Sequence, residues 1–285
     1  MELFRTSREN LIDAFKSKGQ PFVATTKPYK STRSLVGNVV DNGNGVAFLV
    51  FQPQQLVFFD YQIGQNLSDG FGGTFNAPDS WTNMQKAAQT NGATRFCIEG
   101  ISTGYRNPRI QYAAADLPTQ VKNQYVQSFI EGNAAAGVTG TPPSQGTDAA
   151  AIVVPPQLHS PFNLEAAIAQ AAAKCSSIYI QFDQERLDLI GTADEFPPGG
   201  ADSYLRAVGA PEHANRYKIP EGYIWREAGQ PDSTMNVLWN LREPLVFPVS
   251  LVTLPGGETP ATPLKAALDV QIRLHGIAVR PPSGN

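Results

Sequence analysis

The feature that most constrains the fold is a strict alternation of apolar and polar side chains near the end of the chain. Seven residues alternate one by one: Leu268, Asp269, Val270, Gln271, Ile272, Arg273 and Leu274. Successive side chains of a strand point to opposite faces of its sheet, so this period predicts a strand with one face in the core. After Gly276 the apolar residues Ile277 and Val279 are out of step with that alternation, which predicts a β-bulge at the glycine.

Three further segments have the same character, and we predict that they form the central strands together with residues 268–274. They are residues 96–101, 178–182 and 237–241. Residues 64–94 are rich in Gly, Asn and Thr and predict a long ordered loop, and residues 131–150 predict a mobile loop. The chain shows no repeated alternation of strand and helix, which disfavours a parallel α/β sheet.

Two helices are predicted in this β background. Thr6 followed by Glu9 is a capping-box pattern at the start of residues 6–18, and Asn163 is a typical cap for residues 164–174. We therefore predict an N-terminal helical arm over residues 1–20 and an all-β, antiparallel jelly-roll domain over residues 21–285. A single barrel with long loop insertions and short helices is our interpretation, and a double jelly roll is the alternative, since 285 residues have room for two.

Charge limits the classes of partner. Only 16% of the residues are charged, against about 25% in an average soluble protein, and Gln, Asn, Ser and Thr supply most of the polarity. Such a surface is easily desolvated, which favours broad protein–protein contact. The net charge of −3 and the lack of Lys/Arg runs disfavour a nucleic-acid binder. Residues 1–18 lack the apolar stretch of a signal peptide, so we expect synthesis in the cytoplasm.

One motif points to an enzyme. Residues 100–104 match G-x-S-x-G, in which a strand–turn–helix lifts the serine hydroxyl above a sheet. Here Pro108 follows closely and disfavours a helix, because the residue before a proline is driven out of helical geometry. We therefore interpret Ser102 as a strand-end residue and not as a nucleophile.

The other chemically active side chains form no recognisable constellation. His159, His213 and His275 lack metal-ligand spacing, and we expect His275 to point outward from the last strand. Cys97 and Cys175 are interpreted as small buried apolar residues. The acidic pairs Asp183/Glu185 and Asp194/Glu195 are interpreted as solvated hairpin ends rather than as a glycosidase pair. We predict no catalytic residues, no cofactor and no metal site.

Five aromatic residues are assigned to loops: Phe71, Phe75, Trp81, Tyr204 and Trp225. Such residues serve either as a platform for carbohydrate or as anchors of a protein interface.

Several segments resemble the major capsid proteins of tailless icosahedral viruses. They include residues 58–61 (FFDY) with Gly64, residues 79–83, residues 90–92 (TNG) leading into residues 96–101, Tyr217–Trp225 (YKIPEGYIW), residues 231–234 and residues 280–282. The resemblance is to the upright jelly-roll lineage of membrane-containing bacteriophages and archaeal viruses, distantly related to adenovirus hexon. It implies a coat subunit that forms capsomers over a membrane, and it carries no catalytic residues.

The sequence therefore predicts a structural virus coat protein of the virion, not an enzyme. Its expected partners are copies of itself in trimers or larger capsomers, other capsid proteins, and an inner membrane reached by the N-terminal arm, which we expect to pack on a neighbour or face an inner layer. A phage spike or fibre, or a carbohydrate-binding β-sandwich, is the alternative from a binding class. A β-sandwich hydrolase using Ser102 or an acidic pair is the less favoured alternative.

Overall fold

The structure is a computed structural model, and it describes residues 8–17, 21–26, 28–41, 47–90, 93–113, 151–154, 168, 171–182, 186–192, 217–226, 233–248 and 263–282. These residues contain helix α1 (Arg8–Lys16), a helical segment at residues 171–174, and fourteen strands: β1 (Val23–Thr25), β2 (Tyr29–Asp41), β3 (Ala47–Phe51), β4 (Gln55–Phe58), β5 (Asn66–Ser68), β6 (Thr74–Asn76), β7 (Arg95–Ala113), β8 (Ala151–Val154), β9 (Ser176–Phe182), β10 (Arg186–Thr192), β11 (Tyr217–Trp225), β12 (Met235–Leu241), β13 (Leu245–Pro248) and β14 (Pro263–Arg280). The prediction of a mostly β chain is confirmed. The predicted loop at residues 131–150 and the helix start at Asn163 lie outside the described residues.

The strands form two main sheets and a small hairpin. The larger sheet has the order β11-β7-β14-β2-β3-β13, with β1 beside β14 and β8 beside β7. The smaller sheet has the order β10-β9-β12-β4, and β5 pairs with β6. Every pairing among these strands is antiparallel. The predicted antiparallel arrangement is therefore confirmed.

Eight of the strands pair in a nested pattern, from the two ends of the chain inward. The early strand β2 pairs with the last strand β14, β4 pairs with β12, β7 pairs with β11, and β9 pairs with β10. Two further pairings, β14 with β7 and β12 with β9, join the nested pairs side by side into the two sheets. The first four of these eight strands thus pair with the last four in reverse order along the chain.

The main core fills the space between the two sheets. From the larger sheet, β14 contributes Leu268, Val270, Ile272 and Leu274, and from the smaller sheet β12 contributes Met235, Val237, Trp239 and Leu241. Tyr29 stands edge-on to Phe96, with ring centroids 4.8 Å apart, and lies 5.3 Å from Trp225. Complete burial of a large apolar side chain stabilises a fold by about 1.5–3 kcal/mol, so this layer supplies most of the driving force.

The outer face of β14 is also buried, although its side chains are polar. Asp269, Gln271 and His275 are each at most 2% exposed. His275 lies on the outer face of the last strand, as expected, but it is buried there and not exposed to solvent. Alternation identifies the two faces of a strand, but it does not reveal which distant parts of the chain cover the polar one.

The predicted irregularity near Gly276 is present, but the extra residue is on the neighbouring strand. His275 pairs with Gly100 and Gly276 pairs with Ile98, so Glu99 of β7 has no partner opposite it. From Lys265 to Arg280, strand β14 itself alternates without interruption. A Cβ atom added to Gly276 would lie 1.8 Å from the carbonyl oxygen of Cys97, so only glycine fits here.

Ile277 and Val279 lie on the outer face of β14, and helix α1 covers that end of the sheet. Both are buried in a second cluster with Leu11 and Cys97. The outer face of β14 therefore carries polar side chains up to His275 and apolar ones at Ile277 and Val279, because the apolar side of helix α1 packs on that end of the face. Leu11 is 2% exposed, so the apolar side of this segment packs on the chain's own sheet. The expected contact with a neighbour or an inner layer stays a prediction, for the other side of the helix.

The segment between β4 and β7 was predicted as a loop without strands, and that prediction is wrong in part. It contains the hairpin of β5 and β6, whose Leu67 is buried with Tyr61 and Ala77 in a third cluster. At the hairpin tip, Asp69 Oδ1 accepts hydrogen bonds from the backbone N–H groups of Phe71 and Gly73, at 2.8 and 2.9 Å. These bonds hold a tight turn, as aspartate commonly does.

Side chains of this segment, together with Gln54 just before β4, also complete the free edge of β2. Strand β2 pairs with β3 only at residues 38–41. Further back, the hydroxyl of Tyr61 donates to the carbonyl oxygen of Thr32 at 2.6 Å and accepts from its N–H at 2.9 Å. Asn83 Oδ1 accepts from the N–H of Lys30 at 2.8 Å, and Gln54 Nε2 donates to the carbonyl oxygen of Val36 at 3.1 Å. Buried backbone groups need such partners, and here side chains replace a neighbouring strand.

Candidate functional site

The larger sheet brings Ser102 and His275 together, although they are far apart in sequence. In the register of β7 and β14, Ser102 pairs with Arg273 and Gly100 pairs with His275, which makes Ser102 and His275 diagonal neighbours on the outer face. Ser102 Oγ lies 2.8 Å from His275 Nε2, and the two side chains are 0% and 2% exposed. Sequence reasoning treated the two residues separately, because only the strand register joins them.

A serine hydroxyl bonded to a histidine ring is the first requirement of a serine nucleophile. The remaining requirements fail at this position. Strand β7 continues through the whole G-x-S-x-G segment to Ala113, so Ser102 lies within a strand and not at its end, and no turn lifts its hydroxyl above the sheet. A substrate also has no access to a side chain that is fully buried. The pair therefore joins two strands.

The Ser102–His275 pair continues into a row of buried polar contacts on the same face. Ser34 Oγ donates to Asp269 Oδ1 at 2.7 Å, and Gln271 Nε2 donates to Thr32 Oγ1 at 2.9 Å. The Thr32 hydroxyl in turn donates to the carbonyl oxygen of Trp81 at 3.0 Å. Buried polar groups are costly unless they are paired, so these contacts fix β2, β14 and the segment above them in one arrangement.

A charged contact supports the same segment from the edge of the sheet. The guanidinium of Arg33 donates to a carboxylate oxygen of Asp60, and it lies 4.5 Å above the ring centre of Tyr61. Burial raises the pKa of Tyr61 above its ordinary value of 10.0, because removal from water disfavours the phenolate. The hydroxyl of Tyr61 is therefore held in its neutral form, which is able to donate to Thr32.

A second surface on the outer face is apolar and open. In the register of β2, β3 and β13, Val40 is opposite Phe48, and Val50 is opposite Val246. Val40 is 48% exposed and Val246 54%, while Phe48 and Val50 are half-buried. We call these four residues, three valines and one phenylalanine, the aliphatic patch after its valines. Lys265, opposite Asn38, borders it. Exposed apolar groups that are contiguous across strands are typical of contact surfaces.

The aromatic residues assigned to loops have different environments, and Phe75 lies in strand β6 rather than in a loop. Phe75 and Trp81 pack edge to face, with centroids 4.6 Å apart, and both are half-buried, as is Phe71. Trp225 was assigned to a loop, and that prediction is wrong: it ends β11, is 0% exposed, and its indole N–H donates to the carbonyl oxygen of Ser233 at 2.9 Å. Tyr204 lies outside the described residues. Trp225 was misassigned because the proline and glycine within β11 obscure its strand pattern.

The remaining candidates fall into two groups. Cys97 is buried as expected, whereas Cys175 is only half-buried, and both are free thiols. The other candidates lie outside the described residues: His159, His213, Asp183, Glu185, Asp194 and Glu195. Within the part of the chain that is described, no three His, Cys, Asp or Glu side chains are grouped as metal ligands. No helix of the described residues is long and apolar enough to span a bilayer.

Comparison with known proteins gives no relative. No protein-family model, no curated protein sequence and no solved structure matches this chain. Its function must therefore be inferred from its own fold and surfaces.

Proposed function

We propose that this chain is a structural coat protein of an icosahedral virus, built on a single eight-stranded jelly roll. It acts in the virion, after synthesis in the host cytoplasm, and it is not an enzyme. Its partners are further copies of itself, in trimers or larger capsomers, together with other capsid proteins.

The order of the strands carries this proposal. Numbered along the chain from one to eight, β2, β4, β7, β9, β10, β11, β12 and β14 pair as one with eight, two with seven, three with six and four with five. They lie in the orders one-eight-three-six and two-seven-four-five. Two interlocked Greek keys of this kind define a jelly roll, a fold that recurs in viral capsids and lectins. Because one barrel uses all eight of these strands, the order favours the single over the double barrel.

The surface supports assembly from copies of one chain. The aliphatic patch lies where β3 and β13 extend the sheet beyond the eight strands, and its four members are all uncharged. With 16% charged residues in the chain as a whole, contacts between copies bury few charges. Capsid contacts of stable subunits remove on the order of 1,000 Å² or more from solvent, which favours such easily desolvated surfaces. We propose the aliphatic patch as one of these contacts.

The N-terminal segment has a narrower role in this proposal than the sequence alone indicated. Leu11 is committed to the chain's own sheet, whereas Glu9, Asn10, Asp13 and Lys16 of α1 are exposed. We therefore propose that the polar side of α1 faces a neighbouring subunit or the inner membrane layer. Contact with nucleic acid is not part of the proposal, because the net charge is −3.

Assembly is tested by light scattering and negative-stain imaging of the purified chain. We expect trimers or larger closed rings, and we expect Val246→Glu to reduce them because it places a charge in the aliphatic patch. Ile63→Glu is the matched control, since Ile63 is 43% exposed at a separate place and should tolerate the change. A species that stays monomeric at high concentration would contradict the coat-protein proposal and favour the carbohydrate-binding alternative.

A further inference from the structure

A cavity of about 330 Å³ opens at one end of the sandwich, where β1 joins the last residues of β14. It is lined by Thr25, Pro28, Tyr29, Asn83, Gln85, Thr94, Ala278 and Arg280. Arg280 and Ala278 are two residues apart on β14, so their side chains are on the same face, which is the face of the main core. The cavity is therefore a continuation of the core that solvent reaches.

The rim of the cavity carries hydrogen-bond donors that are not used within the described residues. Arg280, Gln85 and Thr25 are exposed, and their side chains make no hydrogen bond or ion pair there. Among the described residues, no carboxylate lines the cavity. A guanidinium, an amide and a hydroxyl without an acidic partner form a site that favours an acceptor-rich ligand with negative charge.

The wall and floor of the cavity are held in place. Asn83 accepts from the N–H of Lys30 and donates to the carbonyl oxygen of Pro28 at 2.7 Å, so its amide is fixed against β2. Tyr29 is 8% exposed and is packed between Phe96 and Trp225. With Pro28 and Ala278 it gives the cavity an apolar base. A site formed in advance loses little entropy when it binds.

We infer that this cavity binds a sugar that carries a carboxylate, with Arg280 on the carboxylate. A guanidinium pairs with a carboxylate through two parallel hydrogen bonds, which an amide or hydroxyl cannot replace. Gln85 and Thr25 suit the ring hydroxyls, and the apolar base suits the C–H face of a sugar ring. The volume lies at the small end of ligand pockets, which matches one ring rather than a chain. This site is independent of the proposed coat function.

The test is a titration of the full-length chain, followed by saturation-transfer NMR, with glucuronic acid, N-acetylneuraminic acid and glucose as probes. We expect at least one of the two acids to bind and glucose to bind roughly tenfold more weakly or not at all. Arg280→Gln should weaken binding of the acid by roughly tenfold, because it removes the charge-assisted contact. Gln85→Leu should weaken it by a smaller factor. Arg242→Gln is the control, since Arg242 is exposed on a turn between β12 and β13 and does not line the cavity.

Four results would overturn the inference, the last of them in a competition with sodium sulfate. The first is no binding of either acid, and the second is equal binding of acid and glucose. The third is an Arg280→Gln variant that binds as the unchanged chain does. Sodium sulfate added at equal concentration separates a sugar site from a simple anion site: a sugar that stays bound supports the inference, and complete displacement contradicts it. None of these readouts depends on particle formation, so failure here leaves the coat-protein proposal to its own test.

Discussion

The hydroxyl of Tyr61 serves both backbone groups of Thr32, since it donates to the carbonyl oxygen at 2.6 Å and accepts from the N–H at 2.9 Å. Both residues are 0% exposed. One phenol thus replaces a strand partner at the edge of β2. Its removal leaves two buried backbone groups without their partner, and an unpaired buried group is costly.

We expect Tyr61→Phe to lower the free energy of unfolding by about 1–3 kcal/mol, measured by urea denaturation. Tyr179→Phe is the control, because Tyr179 is half-buried on the smaller sheet. That change should stay within about 0.5 kcal/mol. Equal effects of the two substitutions would show that the bridge to Thr32 contributes nothing.

The same tyrosine predicts a loss of stability in alkali. Burial raises the pKa of Tyr61 in the folded chain above its ordinary value of 10.0. Above pH 10 the unfolded chain loses this proton while the folded chain keeps it, so stability falls as pH rises until the folded pKa is passed. Urea denaturation on both sides of pH 10 should give a steeper decline for the unchanged chain than for Tyr61→Phe. Parallel declines would contradict the assigned pKa direction.

Gly276 predicts a steric effect with a clear control. Gly276→Ala should destabilise the fold by about 3 kcal/mol or more, because the new Cβ atom would meet the carbonyl oxygen of Cys97 at 1.8 Å. Gly104→Ala, also in the larger sheet, would meet only Gln271 Cβ at 3.8 Å and should change stability by less than about 1 kcal/mol. Thermal unfolding of both variants measures the difference. If Gly276→Ala unfolds at the same temperature as the unchanged chain, the backbone at the bulge moves enough to accommodate the new Cβ atom, and the expected steric clash is contradicted.

Ser102 tests the interpretation that the serine–histidine pair is structural. Ser102→Ala should lower stability by about 1–2 kcal/mol, since His275 Nε2 loses that partner, and it should change no hydrolytic activity. A serine-directed phosphonate should not label Ser102 in the folded chain, because the side chain is 0% exposed. Labelling that Ser102→Ala abolishes would revive the hydrolase alternative.

The N-terminal helix gives a prediction on both stability and assembly. Deletion of residues 1–18 should leave a β-type circular dichroism spectrum but lower stability, because it uncovers Cys97, Ile277 and Val279. It should also lower particle yield. Leu11→Ala tests the packing alone and should destabilise by about 2 kcal/mol or more, while Glu9→Gln on the exposed side should have little effect. A deletion that alters neither stability nor yield would contradict both roles.

The sequence predicted the parts of the fold in which one face is apolar and the other polar. Residues 178–182 and 237–241 are strands as expected, and they lie side by side as β9 and β12. Strand β2 shows no such alternation, since residues 30–34 are all polar. It forms because β14 pairs with it on one side and the segment after β4 lies along the other. That cover is a long-range effect that a local pattern does not contain.

The contacts of the candidate sites were harder to predict for the same reason. Ser102 and His275 meet only through the register of β7 and β14, and Arg280 and Gln85 line one cavity only because the segment before β7 lies at the end of β14. Both arrangements join residues that are far apart in the sequence. Single motifs identified the residue types, but not their neighbours.

The capping of β2 by Gln54, Tyr61 and Asn83 has a consequence for a protein that accumulates in many copies. An open strand edge is a template on which a foreign strand can add, and repeated addition grows into amyloid-like fibres. Here side chains already occupy hydrogen-bonding groups along that edge. Under the proposed coat function, copies that meet at high local concentration find side chains at this edge instead of an open ladder, which disfavours fibre growth while a shell assembles.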